Sequence, residues 1–188
     1  MDKKHVLVVV DYQNDFVTGV LGFPNATAIE GGISDRIEAC WKNGGTVIFT
    51  YDTHESDYMD TVEGKNLPVP HCIENTDGWN LYGEVKKWHD YGKSNNLPMT
   101  DICKPTFGSL GLISALNDIM DEVRDETKIE IEFAGVVSNI CVISNAIIAK
   151  STMPEANIWV NRSICASNDN EMEQKAFDIL ENLHIKVR

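Results

Sequence analysis

Short apolar runs alternate with amphipathic stretches along most of this chain, and this pattern restricts its fold more than any other feature. Val6–Val10 is a continuous apolar run, as in a strand that is buried on both faces. Ile33–Trp41 carries apolar residues at helical spacing and is followed by Gly44 and Gly45, which end the predicted helix. Such alternation is typical of βαβ units. It predicts a three-layer α/β/α fold around a mostly parallel sheet of five to six strands.

The same criteria place the remaining elements along the chain. Further strands are predicted at 46–51, 101–103, 129–134 and 156–160, with an edge strand at 185–187, and helices at 81–89, 110–123, 139–150 and 171–183. Ser138 is the predicted cap of the helix at 139–150. That helix is apolar nearly all round, which favours a central position or a subunit interface and therefore a homo-oligomer. Residues 52–80 show no clear period, and a loop this long is usually functional or disordered.

Length and charge restrict the domain organisation and the partners. A chain of 188 residues suits one domain, here residues 1–188. The formal net charge is −13, from 29 acidic and 16 basic residues. Such a surface repels phosphate backbones and anionic lipids, so nucleic acids and membranes are not expected as partners. Neutral small molecules are not repelled by such a surface.

The cysteines and the N-terminus indicate the compartment. The chain has five cysteines, an odd number, and none of them forms a CxxC pair, which argues against a secreted disulfide framework. The apolar run Val6–Val10 is too short for the apolar region of a signal peptide or for a membrane span. The sequence therefore predicts a cytoplasmic protein with free thiols.

Polar side chains with reactive chemistry follow four successive predicted strands. Asp11 ends the first strand, Asp52 and His54 follow the second, Lys104 follows the third, and Cys141 comes shortly after the fourth. In open parallel sheets, ligands bind at the carboxyl ends of the strands. We therefore expect these groups to lie close together in one site.

Cys141 is the candidate nucleophile. Its position on the first turn of a predicted helix would draw the thiol toward the thiolate, and the backbone N–H groups of that turn could bind an oxyanion. The alternative is a small buried apolar residue, which is the usual fate of a free cysteine. Asp11 could be a strand-end cap, or a half-buried carboxyl whose pKa is raised toward that of a general base. Lys104 could be a surface lysine or the cation that holds this carboxylate.

The 52–71 segment carries a second candidate cluster. In an extended strand, Asp52 and His54 would share a face. His71 lies further along the loop, with Glu63 between them and Asp57 and Asp60 as competing carboxylates. Two imidazoles with carboxylates suit Zn²⁺, and Mn²⁺ or Fe²⁺ as alternatives. The other interpretation is a solvated acidic loop that happens to contain histidines.

Three segments together resemble the isochorismatase-like cysteine hydrolases. The first strand reads VLVVVDYQNDF, residues 104–109 read KPTFGS, and residues 135–142 read GVVSNICV. The resemblance extends over nearly the whole chain and implies the Rossmann-like fold of that family. It places Asp11, Lys104 and Cys141 at the positions of the family's catalytic aspartate, lysine and cysteine.

Within that family the chain is most similar to the nicotinamidases. The resemblance implies a divalent metal site at Asp52, His54, Glu63 and His71, and a ring-facing role for Phe16. It also implies a cis peptide between Val136 and Val137, with the N–H groups of Val137 and Cys141 as the oxyanion hole. The implied reaction is hydrolysis of nicotinamide through a thioester on Cys141, with Asp11 carrying the proton and Lys104 holding the charge of Asp11.

One departure from that pattern keeps other substrates open. Nicotinamidases usually carry an aromatic residue about three positions before the last metal histidine, whereas this chain reads Asn-Leu-Pro-Val-Pro at residues 66–70. The alternatives are a cysteine hydrolase of another small amide or ureido compound, a hydrolase driven by metal-bound water, and a non-catalytic metal-binding protein on the same fold.

Overall fold

A computed structural model describes residues 3–188 and contains one six-stranded parallel sheet. The strands are β1 (Lys4–Val10), β2 (Thr46–Asp52), β3 (Met99–Lys104), β4 (Ile129–Val136), β5 (Asn157–Ala166) and β6 (Lys186–Val187), in the order β3-β2-β1-β4-β5-β6. Every neighbouring pair is parallel. The predicted fold class is therefore confirmed. The strand order reverses between β1 and β4, and such switch points form crevices for ligands.

Eight α-helices are described, on both faces of the sheet. They are α1 (Asn14–Val17), α2 (Pro24–Ala28), α3 (Glu30–Lys42), α4 (Val62–Asn66), α5 (Gly83–Ser94), α6 (Leu110–Val123), α7 (Ile143–Thr152) and α8 (Asn170–Asn182). One buried cluster joins the sheet to α6, α7 and α8, and a second joins it to α3 and α5. Each face of the sheet is thus covered, as the continuous apolar runs of its central strands require.

The strands and most helices lie close to their predicted positions, because their apolar runs are strong. β5 extends further than predicted, to Ala166, since the exposed residues Arg162 and Ser163 interrupt its apolar pattern. The long loop after β2 contains only a 3₁₀ turn at Tyr58–Asp60 and the short α4.

The predicted helix at 139–150 differs most from the structure. It begins with a π-helical turn at Ser138–Val142 and becomes α-helical only at Ile143. The prediction that Ser138 caps it is wrong, because the Ser138 hydroxyl instead donates a hydrogen bond to Glu173 in α8 at 2.7 Å. Ile147 on the outer face of α7 is 36% exposed.

Across residues 3–188, no helix combines the length and the apolar character that a membrane crossing requires.

Candidate active site

Asp11 lies at the switch point, directly after β1, and is fully buried. Its φ of 46° is in the left-handed region, which aspartate tolerates better than most residues. The Thr50 hydroxyl donates a 2.7 Å hydrogen bond to Oδ1 of Asp11, and Nζ of Lys104 lies 2.7 Å from Oδ2. Burial raises the pKa of Asp11, although the charge of Lys104 opposes the shift.

Lys104 joins three groups at the end of β3, and its side chain is only 1% exposed. Besides Asp11, its ammonium lies 3.3 Å from Oδ1 of Asp52 and 3.7 Å from Sγ of Cys141. Burial alone would lower the pKa of Lys104, but the neighbouring anionic groups outweigh that effect and raise it. Lys104 is therefore a fixed buried cation rather than the surface lysine of the alternative interpretation.

Cys141 lies on the π-helical turn and is 4% exposed. Burial raises its pKa well above the usual range, as does the charge of Asp11, and Lys104 opposes them only partly. The expectation of a thiol drawn toward the thiolate is thus wrong for the resting protein, because burial and the charge of Asp11 favour the neutral thiol. The resting group is a thiol that contacts the same ammonium as the Asp11 carboxylate.

Gly135 allows β4 to approach β1 closely, just before the turn that carries Cys141. Its φ is 115°, and a Cβ there would lie 2.1 Å from the carbonyl oxygen of Val10. The following peptide bond, Val136–Val137, is cis, as the resemblance implies. The N–H of Val137 donates to no acceptor within residues 3–188. It is therefore an available hydrogen-bond donor in this part of the chain.

Four potential metal ligands meet next to this group. One donor atom from each of Asp52, His54, Glu63 and His71 lies within 4.8 Å of all the others. Oδ2 of Asp52 is 3.0 Å from Nε2 of His54 and 3.2 Å from Nε2 of His71. Glu63 supplies the fourth group, through a carboxylate oxygen 3.6 Å from Nε2 of His54. Neither Asp57 nor Asp60 joins a cluster of this kind in the described part of the chain.

The chemistry of these donors suits a divalent metal ion. Nδ1 of His71 lies 2.8 Å from the carbonyl oxygen of Val69, so it carries the proton and leaves Nε2 to face the cluster. Burial alone would raise the pKa of Asp52, but hydrogen bonds from His54 and His71 and the charge of Lys104 outweigh it and lower the pKa. An ionised carboxylate is a good ligand, and His71 becomes one when its Nε2 gives up the proton that it shares with Asp52.

A cavity of about 190 Å³ connects the thiol to the metal-ligand cluster. Its wall includes Phe16, whose ring centroid lies 5.4 Å from that of His71. The lining residues that the sequence did not single out are Leu21, Phe23, Leu67, Phe107, Ile140 and Asn168. Most of the wall is apolar, with a few polar groups, as small-molecule sites usually are.

Two buried amides hold the site together, and neither was expected. Gln13 donates to the carbonyl of Asp52 at 2.9 Å and accepts from its N–H at 2.8 Å. Asn145 donates to the carbonyl of Cys141 at 2.8 Å. Gln13 lies inside the segment that carries the resemblance, which is the one available signal, whereas Asn145 is the one amide side chain of α7.

Two cysteines beside the predicted site residues lie outside the cavity. Cys72 is fully buried, and its N–H donates to Asp15. Cys103 is exposed and lines a separate cleft with His89 and Asp101. The structure therefore brings Cys141, and not these neighbours, to the cavity.

Comparisons with known proteins agree with this architecture. The model of the Isochorismatase domain matches residues 5–187. An uncharacterized isochorismatase family protein, PncA, of Bacillus subtilis is 30% identical over 148 residues, which cover 77% of each chain. The crystal structure of the nicotinamidase/pyrazinamidase PncA from Bacillus subtilis superposes with a TM-score of 0.82 at 27% identity, over 98% of both chains. The pyrazinamidase of Pyrococcus horikoshii, solved in complex with zinc, has a TM-score of 0.74 at 19% identity, also over 98% of both chains.

Proposed function

The chain belongs to the isochorismatase family of hydrolases, and from that premise we propose that it is a nicotinamidase-like amidohydrolase. In this proposal it converts nicotinamide to nicotinic acid and ammonia through a thioester on Cys141. The observation that carries the proposal is the contact of one buried ammonium, that of Lys104, with both the Asp11 carboxylate and the Cys141 thiol, at 2.7 Å and 3.7 Å. A purely structural ion pair has no need of a thiol at that distance.

Asp11 carries the proton in the proposed mechanism. Its carboxylate accepts the thiol proton of Cys141 while sulfur attacks the amide carbon, so no free thiolate has to persist in the buried site. The N–H groups of Val137 and Cys141 bind the oxyanion. Asp11 then returns the proton to the leaving nitrogen, and the C–N bond breaks to release ammonia. Lys104 stabilises the ionised form of Asp11 throughout.

The second half of the reaction uses the same groups. A water molecule attacks the thioester carbon, and Asp11 accepts its proton as general base. The C–S bond breaks, nicotinic acid leaves, and the proton on Asp11 restores the thiol of Cys141. Atoms balance over the cycle, because one water is consumed and one ammonia and one acid are released.

Asp52, His54, Glu63 and His71 would hold the divalent ion, with zinc as the first candidate and manganese or iron as alternatives. The zinc complex of the Pyrococcus horikoshii pyrazinamidase lends support to zinc. When bound, the ion supplies a Lewis acid that can accept a pyridine nitrogen and orient the ring. The test is metal analysis of the protein as purified, with Glu63→Gln as the variant expected to lose metal and Glu55→Gln as the control.

The experiment that tests the reaction is ammonia release from nicotinamide. The parent should release ammonia, and Cys141→Ala should lose at least about 1,000-fold in kcat, as removal of a nucleophile usually does. Cys165→Ala is the matched control, because Cys165 is also buried but lies outside the cavity. Turnover that survives in Cys141→Ala and disappears with chelator would instead indicate attack by metal-bound water.

One observation favours a second candidate function. The segment before His71 contributes Leu67 to the cavity wall and no aromatic ring. This is compatible with hydrolysis of another small amide or a ureido compound by the same thiol. A panel of small amides and ureas separates the two candidates by the order of their kcat/KM values.

The last expectations concern the domain organisation, the compartment and the oligomeric state. We expect residues 1–188 to act as one domain, in the cytoplasm, on a small neutral amide and as a homo-oligomer. The partly exposed Ile147 of α7, at 36%, supports self-association. Light scattering of the purified protein measures the oligomeric state directly.

A further inference from the structure

The two chain segments that follow β4 and β5 leave the sheet side by side. The last paired residues of these strands are Val136 and Ala166. Beyond them, the first segment forms the π-helical turn at Ser138–Val142, and the second leads through Ser167 into α8. Backbone pairing between the two strands therefore ends just before the turn that carries the nucleophile.

Two side-chain hydrogen bonds continue the contact beyond the last backbone pair. The Ser138 hydroxyl donates to Oε1 of Glu173 at 2.7 Å, and the Ser167 hydroxyl donates to Oδ1 of Asn139 at 2.6 Å. Both hydroxyls belong to fully buried residues, and a buried hydroxyl without a partner costs free energy. Ser167 and Glu173, here called the clamp, thus hold two successive residues of the π-helical turn.

The clamp is itself tied to the beginning of α8. The Ser167 hydroxyl oxygen accepts a hydrogen bond from the N–H of Asp169 at 3.0 Å. The side chain of Asp169 caps α8 by accepting from the N–H groups of Glu171 and Met172, at 3.0 Å each. Glu173 lies in the first turn of this helix, where its N–H donates to the carbonyl of Asp169 at 2.9 Å. Both clamp residues therefore have a position that the capped end of a helix defines.

The clamp acts on the part of the chain that links the two oxyanion donors of the proposed mechanism. Ser138 and Asn139 lie in sequence between Val137 and Cys141, whose N–H groups are those donors. A shift of these two residues would therefore move the donors relative to the thiol. The clamp also adjoins the substrate cavity, because Asn168, the residue after Ser167, lines its wall.

We propose that Glu173 and Ser167 are positioning residues that set the geometry of the oxyanion hole through Ser138 and Asn139. The proposal rests on the proposed function, because these N–H groups bind an oxyanion only if Cys141 attacks a carbonyl group. Neither clamp residue is among the described residues that line the cavity, so both act through the turn. Since the oxyanion forms in the transition state and not in the bound substrate, the clamp should affect kcat and not KM.

The first test compares three variants of α8 in the hydrolysis of nicotinamide. Glu173→Ala should lower kcat about 10- to 100-fold, less than the loss of an oxyanion donor itself, with KM within about twofold of the parent. Glu173→Gln keeps an acceptor oxygen for the Ser138 hydroxyl and should recover most of the lost kcat. Glu171→Ala is the matched control, because Glu171 lies in the same turn but its side chain is 81% exposed and pairs with Lys175.

A double-variant cycle tests whether the effect passes through the Ser138 hydroxyl. Ser138→Ala should lose as much kcat as Glu173→Ala, and the double variant should lose no more than either, because both changes remove the same hydrogen bond. Circular dichroism establishes folding, and Ser167→Ala tests the second clamp residue if Glu173→Ala does not fold. Fully additive losses, equal losses in the Ala and Gln variants of Glu173, or a raised KM with the kcat of the parent would overturn the proposal.

An activated ester separates failure of this proposal from failure of the proposed function. p-Nitrophenyl acetate tests the thiol and the oxyanion donors without requiring the acyl group of nicotinamide. In its reaction with Cys141 the C–S bond forms, the C–O bond breaks, p-nitrophenolate leaves, and the thiol proton passes to Asp11. The burst of p-nitrophenolate, measured as the difference from Cys141→Ala, should be about tenfold or more slower in Glu173→Ala and unchanged in Glu171→Ala.

The outcomes of the ester assay differ for the two proposals. A slower burst in Glu173→Ala supports the clamp even if the parent releases no ammonia from nicotinamide. A burst as fast as that of the parent overturns the clamp and leaves amide hydrolysis by Cys141 intact. No acetylation of Cys141 in the parent would overturn the thiol mechanism and, with it, the role of the clamp.

Discussion

The two ends of the central strands β1 and β4 carry similar chemistry in different arrangements. At their carboxyl ends, Asp11 pairs with Lys104 beside Cys141. At their beginning, Glu132 pairs with Arg36 beside Cys40, and a cavity of about 110 Å³ opens there as well. Each end thus has a buried carboxylate, a cation, a buried thiol and a cavity.

The difference lies in how the thiol is connected to the charges. Both oxygens of Glu132 accept hydrogen bonds from Arg36, and Oε1 also accepts from Asn161 at 2.7 Å. Sγ of Cys40 donates instead to the carbonyl of Thr46 at 3.5 Å, and burial raises its pKa to about 11. Sγ of Cys141 by contrast lies 3.7 Å from the ammonium of Lys104, which also contacts the Asp11 carboxylate at 2.7 Å.

This comparison shows that a buried ion pair beside a cysteine does not by itself make a reactive site. At the beginning of the strands the carboxylate is saturated by donors, and the thiol is bound to backbone. At their carboxyl ends the carboxylate can accept a proton from the thiol, and the thiol faces a cavity with metal ligands. Equivalent substitutions at the two ends should therefore have unequal effects on catalysis.

Substitution of the two carboxylates should give the largest difference in kcat. Asp11→Asn keeps the shape of the side chain but cannot accept the thiol proton, so kcat should fall about 10²- to 10⁴-fold. Glu132→Gln should leave kcat within about twofold of the parent. Steady-state ammonia release by both variants, with circular dichroism to establish folding, measures the contrast. Equal losses at the two positions would contradict the assignment of Asp11 as the proton carrier.

Substitution of the two cations should give the second largest difference in activity. Lys104→Met leaves Asp11 and Asp52 without their shared ammonium, so kcat/KM should fall by tenfold or more, and breaking a buried pair should cost about 3–5 kcal/mol of stability. Arg36→Met should cost about 1–3 kcal/mol through its lost charged hydrogen bonds and should leave kcat/KM unchanged. Urea unfolding and steady-state kinetics on the same preparations separate the two kinds of loss. A normal kcat/KM in Lys104→Met would remove the lysine from the mechanism.

The pH dependence of the reaction should report the environment of Asp11. The reactive form has an ionised Asp11 and a protonated Cys141. Because burial raises the pKa of Asp11 above its ordinary value of 3.8, kcat/KM should fall with decreasing pH at a higher pH than an exposed aspartate would give. The acid limb of the kcat/KM profile, measured with the metal content held constant, locates this pKa. An acid limb at or below 3.8 would place the essential base elsewhere.

The two thiols should differ least in a simple chemical test. Burial raises the pKa of both, so iodoacetamide should modify neither rapidly at neutral pH, in contrast to the exposed Cys103. A saturating aromatic amide should protect Cys141 further and should leave the rate at Cys40 within about twofold. Peptide mapping after timed alkylation measures each site. Protection of Cys40 with no effect at Cys141 would place the substrate site at the beginning of β1 and β4 instead of at their carboxyl ends.

The sequence was sufficient for those parts of the fold that rest on strong apolar runs. Val6–Val10 and residues 129–134 predicted the two central strands, and the position of polar residues after them predicted which groups would meet. β5 was underestimated because its second half, from Asn161 onward, contains exposed polar residues before the apolar run resumes. The π-helical turn around Cys141 has no sequence period that distinguishes it from an α-helix.

The site residues that were predictable are the charged ones that directly follow a strand. Those whose role depends on burial or on contacts with other loops were harder to predict. The raised pKa of Cys141 reverses the expectation from the helix dipole, because its complete burial cannot be deduced from position alone. Asn145 was missed because it is a lone amide in an apolar helix, and its partners are backbone carbonyls of another loop. Phe107 lies inside the KPTFGS segment, but only the folded loop shows that it lines the cavity.

The most direct test of the central claim is to trap the acyl group on the protein. The parent is mixed with a large excess of nicotinamide, quenched in acid within the first turnovers, digested and analysed by mass spectrometry. The account predicts a nicotinoyl thioester on the peptide that contains Cys141, none on the peptide that contains Cys40, and none in Cys141→Ala. Ammonia release in the first turnovers, with no acyl group on Cys141 and with undiminished activity in Cys141→Ala, would contradict it.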